Sequence, residues 1–271
     1  MLGCWLFVFS ADAQPGCTDP QALNFDPFAV QNDGSCTYPT TIYVPPQVAE
    51  LPTAIPEASG LEFFNGQLWL QQDGGAGTLL HPPDTLTAAV LQSLPLPSLE
   101  NKDWEDLAED ATHLYIGDFG NNAGNRTDLR IYKISKNDLL VGTTTAEVIG
   151  FSFSDQTDFA AVPNATNHDC EAFVVLGDSL HIFSKRWLDN TTHRYMLPNQ
   201  PGTYIAELRD SFDSGCLVTA ADISADGLVA LLGYEGDDRI DGGSGTGSLD
   251  GGNGFDQLSF ASLASGVTVD L

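Results

Sequence analysis

Glycine and aspartate recur at a nine-residue interval near the end of the chain, in a pattern that suits metal chemistry. Segments that start at 233, 242 and 251 approximate the form Gly-Gly-x-Gly-x-Asp-x-apolar-x in unbroken register. Glycines let the backbone turn tightly and present carbonyl oxygens, and an aspartate adds the charged oxygen that calcium prefers. The middle segment has Gly247 in the aspartate position. The predicted calcium ligands are therefore Gly236, Asp238, Gly254 and Asp256.

These segments resemble the calcium-binding nonapeptides of repeat-in-toxin (RTX, haemolysin-type) proteins. In the parallel β-roll of that family, one coil uses two nonapeptides. The resemblance therefore implies that the first and third segments stack, and that Asp238 and Asp256, eighteen residues apart, share one ion. It also implies that the apolar eighth residues, including Ile240 and Leu258, point inward. A flexible glycine-rich linker is the alternative.

A second set of acidic residues lies earlier in the chain, in segments that repeat. Its members are Glu105, Asp106, Glu171 and Asp222, with Asp103, Asp118 and Asp169 nearby and Lys185 and Arg186 as basic partners. Converging carboxylates can hold a divalent cation, and with a metal-activated water they can hydrolyse a phosphate ester. The alternative role is structural, because acids on inner strands often pair with neighbouring backbone or with Lys and Arg.

Repeated strand hairpins must position these acids. Four segments of the body, 57–232, combine a short apolar strand, a polar turn and a second alternating strand. Their apolar anchors are Leu61, Leu107, Phe173 and Ile223. This spacing predicts an all-β chain whose body is β-propeller-like, with the first strand of each blade along a central channel. Four blades are fewer than a closed propeller usually has, so the body is expected to be truncated or completed by the tail. A β-sandwich is the alternative.

The body also resembles a family of secreted bacterial proteins with propeller-like repeats. The stretches that carry this resemblance are DWEDLA at 103–108, YIGDFGNN at 115–122, NRTDLRIY at 125–132, DCEAF at 169–173 and SKRW at 184–187. The resemblance implies a fold and an exported location, and it implies no reaction.

The N-terminal region is expected to contain three short zones. Residues 1–13 have the apolar run and small-x-small site of a partial signal peptide. Residues 14–38 form a cysteine-bounded module, in which Cys17 and Cys36 are expected to bond. Its motif resembles the CTDP…DDGSC module of exported proteins from marine and gliding bacteria. Residues 39–56 are rich in proline and are expected to form a semi-rigid linker.

The charge of the chain restricts its partners. Asp and Glu outnumber Lys and Arg by 37 to 10, a net charge of −27 that repels nucleic acid. No segment is long and apolar enough to predict a transmembrane helix. Whether Cys170 and Cys216 bond to each other stays open.

The sequence thus predicts a secreted, extracellular calcium-binding protein in which residues 233–271 form the β-roll. Its expected role is non-catalytic binding or adhesion to an extracellular or cell-surface ligand; a metal-dependent, phytase-like phosphoesterase is the alternative.

Overall fold

A computed structural model describes most of the body and separate parts of both ends. The described residues are 14–18, 20, 22–32, 35, 37, 51, 55, 57–74, 79–81, 93–142, 145–214, 216–223, 229–234, 239–241 and 257–259. The predicted signal segment 1–13, nearly all of the linker, Cys36 and the four predicted calcium ligands of the tail lie outside them. Among the described residues, no helix has the length and apolar character needed to span a membrane.

The N-terminal module contains a small parallel pair of strands, β1 (Pro15–Gly16) and β2 (Gln31–Asn32). Cys17 is buried and disulfide-bonded, while its predicted partner lies outside the described residues. The Asp26 carboxylate accepts hydrogen bonds from the Phe28 amide at 2.9 Å and from the Gln14 side chain at 3.0 Å. These contacts show Asp26 in a turn-stabilising role.

The first sheet of the body is antiparallel. Its strands are β3 (Ala58–Phe64), β4 (Gln67–Gln72), β5 (Leu79–His81) and β6 (Leu94–Pro95). Asn65 and Gly66 join β3 to β4 with φ values of 52° and 73°. Positive φ at both residues suits a two-residue hairpin, which Asn-Gly adopts readily. The predicted hairpin at this position is confirmed.

The second sheet has eight strands and is nearly closed, like a barrel. Its elements in chain order are β7 (Trp104–Glu109), β8 (His113–Asp118), β9 (Arg130–Ser135), the helix α1 (Lys136–Leu140), β10 (Ala146–Phe153), β11 (Asp169–Leu176), β12 (Ser179–Lys185), β13 (Thr191–Pro198) and β14 (Gly202–Asp213). The strand order is β11-β12-β13-β14-β10-β9-β8-β7. Every pair is antiparallel except β10 and β14, and the end strands β7 and β11 contact each other.

The last sheet contains β15 (Leu217–Ile223), β16 (Val229–Tyr234), β17 (Arg239–Asp241) and β18 (Gln257–Ser259). The pairs β15–β16 and β16–β17 are antiparallel, whereas β17 and β18 run parallel. With one five-residue helix among the described residues, the prediction of an all-β chain is confirmed.

In the described part of the body, three hydrophobic cores lie between successive groups of strands. One is centred on Trp69 and Trp104, between the first sheet and β7–β9. A second, around Phe119, Phe173 and Tyr195, fills the barrel-like sheet. The third packs β11 and β12 against β15 and β16. Because β7 and β8 bury both faces, their residues are almost continuously buried rather than alternating.

The first strand of each repeat contacts the first strand of the next, in the order β3, β7, β11, β15. Each of these strands has an irregularity in its pairing near its start, between Ala58 and Leu61, Trp104 and Leu107, Cys170 and Ala172, or Val218 and Ala220. Aligning the repeats on this irregularity makes Ala221, rather than Ile223, the counterpart of Phe173. The predicted alignment of the fourth repeat is therefore wrong by two residues. A shift of two residues leaves the alternation of side chains between the two faces of a strand unchanged, so the sequence pattern alone does not reveal it.

The two cysteines of the body are buried thiols. Cys170 lies in the central core and Cys216 in the core next to β15, and no disulfide joins them. A methyl group on Gly233 would lie 2.6 Å from Cys216 Sγ, so this part of β16 packs closely against it.

Candidate functional site

Three carboxylates meet where the first repeat packs against the second. Asp73 follows β4, Asp103 precedes β7, and Glu105 lies within β7. One oxygen from each lies within 4.8 Å of the others. This group, Asp73, Asp103 and Glu105, is referred to below as the acidic cluster.

The surrounding backbone positions the acidic cluster. Asn101 donates side-chain hydrogen bonds to the carbonyls of Gln72 at 3.0 Å and Gly74 at 3.3 Å, which fixes the segment that carries Asp73. The Asp103 amide donates to Asp118 Oδ1 at 3.1 Å, so the Asp103 backbone is also fixed.

Gly120 forms one wall of the acidic cluster. A methyl group on its Cα would overlap Glu105 Oε1 and Asp103 Oδ2. The Gly120 amide donates to the Asp103 carbonyl at 3.2 Å. Glycine is therefore required here because the carboxylates pack directly against the main chain.

Burial and mutual repulsion raise the proton affinity of the acidic cluster. Burial, followed by the charges of Glu171 and Asp103, raises the pKa of Glu105 to about 11. Burial and then Asp73 raise the pKa of Asp103 to about 7. The pKa of Asp73 is raised as well, mainly by burial. No Lys or Arg among the described residues forms an ion pair with these three carboxylates. The cluster therefore holds either protons or a bound cation.

Two further acids lie beside the cluster but have partners within the protein. Glu171 accepts from Lys185 Nζ at 2.5 Å, and the ammonium lies 4.4 Å from the centre of the Trp187 ring. Asp169 accepts from the Trp187 indole at 2.8 Å and from the Asn121 amide at 2.7 Å. Burial raises the pKa of Glu171 to about 7 despite Lys185. These contacts anchor β11 and β12.

Asp106 has a structural role, although it is adjacent to Glu105 in the sequence. Its carboxylate is buried and accepts backbone hydrogen bonds from Leu107 at 2.9 Å, Phe173 at 3.2 Å and Ala221 at 3.3 Å. One side chain therefore joins the first strands of three successive repeats. Its oxygens already have three donors, so Asp106 is arranged as a tie between strands.

The remaining predicted channel acid, Asp222, lies at the other end of β7. It is exposed, and with Glu62 and Glu109 it borders a cavity of about 360 Å³. Burial, with Asp222 and Glu109 contributing repulsion, raises the pKa of Glu62 to about 7. The structure thus brings Glu105 and Glu171 near each other and separates Asp222 from them.

Other predicted neighbours have their own partners. Asp118 is bound by Arg126 at 3.0 Å and Arg130 at 2.8 Å, and Arg186 pairs with Asp189 at 2.6 Å.

Asp73 was missed by sequence reasoning because it belongs to the preceding repeat. One sequence feature could have indicated it: Asp73 directly follows Gln72, which pairs with the first residue of β3. Asp118 and Lys185 pair in the same way with the first residues of β7 and β11.

The calcium ligands predicted in the tail, Gly236, Asp238, Gly254 and Asp256, lie outside the described residues. The strands that follow them are described. In their parallel pairing Arg239 is opposite Gln257, Ile240 is opposite Leu258 and Asp241 is opposite Ser259. Every pair joins residues eighteen positions apart, which is two nonapeptides.

The fold and the site together define an all-β protein of repeated hairpins, with a partly buried acidic cluster at a contact between repeats. The chain matches no protein-family model, and no curated protein matches it at a significant level.

Proposed function

We propose that this protein is an exported calcium-binding protein whose tail folds as a short parallel β-roll around the ion. The observation that carries the proposal is the parallel pairing of β17 with β18 at an offset of eighteen residues. This offset is the one at which the first and third nonapeptides stack. It would place the turns containing Asp238 and Asp256 next to each other, so that both carboxylates face one ion.

The body is proposed to be an incomplete β-propeller that binds or displays an extracellular ligand. Support comes from the serial contacts among β3, β7, β11 and β15 and from the cores between successive groups of strands. The parallel pairing of β10 with β14 joins two of these groups into the barrel-like sheet, which is a departure from separate blades. The net charge of −27 suits a calcium-rich external medium, and it repels nucleic acid.

Circular dichroism of the full chain, titrated with calcium after EDTA treatment, tests the role of the tail. Calcium is expected to increase the β signal, because metal binding and folding are coupled in a site that exists only when folded. In the double variant Asp238→Asn, Asp256→Asn this increase is expected to disappear. The double variant Asp241→Asn, Asp250→Asn removes the same charge at the ninth repeat positions and is expected to keep it. A wild-type spectrum that calcium leaves unchanged would refute the roll.

A second candidate function is metal-dependent phosphate ester hydrolysis in the body. The observation that favours it is the proximity of the acidic cluster to Glu171, which would place a further carboxylate beside a metal site. Calcium-dependent release of phosphate from an ester panel would support this function, provided that Glu105→Gln and Glu171→Gln remove the activity. Activity that survives both substitutions would place the chemistry elsewhere.

A further inference from the structure

We propose that Asp73, Asp103 and Glu105 form a calcium site in the body, separate from the calcium site of the tail. The residues of this site lie in the first two repeats and share no segment with the nonapeptides. The inference therefore stands whether or not the tail forms a roll.

Glu105 supplies the observation that points to a ligand. Its side chain belongs to a residue that is only 7% exposed, and its carboxylate is directed towards Asp103 and Asp73. Within the described part of the chain, no group donates a hydrogen bond to this carboxylate and no basic side chain pairs with it. A buried carboxylate without donors is costly unless a cation or a proton compensates its charge.

The nearby basic groups pair with other acceptors, and Arg126 acts on Asp103 only as a charge beyond ion-pair distance. Arg126 donates to Asp118 Oδ1 at 3.0 Å and to the Gly120 carbonyl at 2.9 Å. Lys185 contacts Glu171. The neighbouring carboxylates of Asp118 and Glu171 therefore each form an ion pair, whereas those of the acidic cluster form none among the described residues.

The geometry of the cluster suits calcium. Calcium binds oxygen at about 2.3–2.6 Å, so two of its ligands lie at most about 5 Å apart. The separations within 4.8 Å meet that requirement. Gly120 holds the carboxylates on one side, and the hydrogen bonds of Asn101 and Asp103 fix the two segments that carry them. Three carboxylates from two repeats would thus converge on one ion and join β4 to β7.

Isothermal titration calorimetry with calcium chloride tests the site. The parent protein for this test is the full chain that carries Asp238→Asn and Asp256→Asn, so that the tail does not contribute. One calcium per chain is expected, and Glu105→Gln is expected to weaken binding at least about tenfold, as loss of even an outer contact can do. Asp73→Asn provides a second variant with the same expected loss. Glu100→Gln, the same change on an exposed carboxylate, is expected to leave binding unchanged.

Thermal unfolding separates a ligand role from a purely structural one. At calcium one hundred times above Kd, the parent is expected to gain about 5–10 °C in Tm, and Glu105→Gln to gain almost nothing. Without calcium, Glu105→Gln is expected to melt above the parent, because glutamine is neutral in both states whereas Glu105 must take up a proton to fold. A structural role for Glu105 would instead lower Tm in both conditions. That result, or a parent that binds no calcium, would overturn the site without bearing on the tail.

Discussion

Replacing Asp106 with alanine is expected to lower the free energy of unfolding by about 3–5 kcal/mol. The carboxylate is buried, and it accepts hydrogen bonds from the amides of Leu107, Phe173 and Ala221. Alanine would leave all three donors without this acceptor, and an unsatisfied buried donor costs about 1–3 kcal/mol. Because these donors belong to three first strands, the loss would loosen the contacts between repeats as well as one strand.

Urea unfolding followed by tryptophan fluorescence measures this effect. Asp222→Ala makes the same change at an exposed position and is expected to cost less than about 1 kcal/mol. Asp106→Asn keeps one acceptor oxygen and is expected to fall between alanine and the wild type. A loss of less than about 1 kcal/mol for Asp106→Ala would show that the tie contributes little.

Raising the pH from about 6.5 to about 8 in the presence of EDTA is expected to destabilise the protein by about 2–4 kcal/mol after allowance for solvent screening. Burial raises the pKa values of Glu62, Asp103 and Glu171 to about 7 and that of Glu105 to about 11. In this range the folded chain therefore binds more protons than the unfolded chain. The stability that these protonated carboxyl groups contribute is fully present below the pKa of a carboxyl group in the unfolded chain. It is lost as the pH rises through the folded pKa values of about 7.

Three histidines oppose this effect in the lower part of the range, because an unfolded histidine is still about half charged at about pH 6.5. Burial lowers the pKa values of His168, His181 and His193, so their contribution rises with pH and ends once the unfolded histidines are neutral. Urea midpoints at about pH 6.5 and pH 8 measure the carboxylate effect, and Asp103→Asn is expected to reduce it. Asp128→Asn is a matched control, because basic neighbours lower the pKa of Asp128. Equal or greater stability at the higher pH would contradict the proposed electrostatics.

Local sequence patterns determined several parts of the fold. Alternating apolar residues predict strands because side chains on a strand point to opposite faces, and the turn at Asn65 and Gly66 is set by residues that tolerate positive φ. The eighteen-residue spacing of Asp238 and Asp256 is likewise visible in the chain, and β17 pairs with β18 at that same offset.

The tertiary structure decided which acids meet. Glu105 and Asp106 are adjacent in sequence, yet one faces the acidic cluster and the other ties three strands together. Adjacent side chains on a strand point to opposite faces, but the sequence does not show which neighbours each face meets, because the pairing of β7 is irregular near its start. The same irregularity in β15 places Ala221 at the Asp106 tie and leaves Asp222 exposed beyond it.

The sequence by itself determined an acidic, all-β chain with repeated hairpins and a glycine-rich tail with a nine-residue repeat. Only the tertiary structure brought Asp73 from the first repeat to Asp103 and Glu105 of the second. Strand period and turn chemistry depend on neighbouring residues, so a single sequence records them. The meeting of carboxylates from different repeats depends on how sheets pack and where pairing is irregular, and these are properties of contacts distant in the chain.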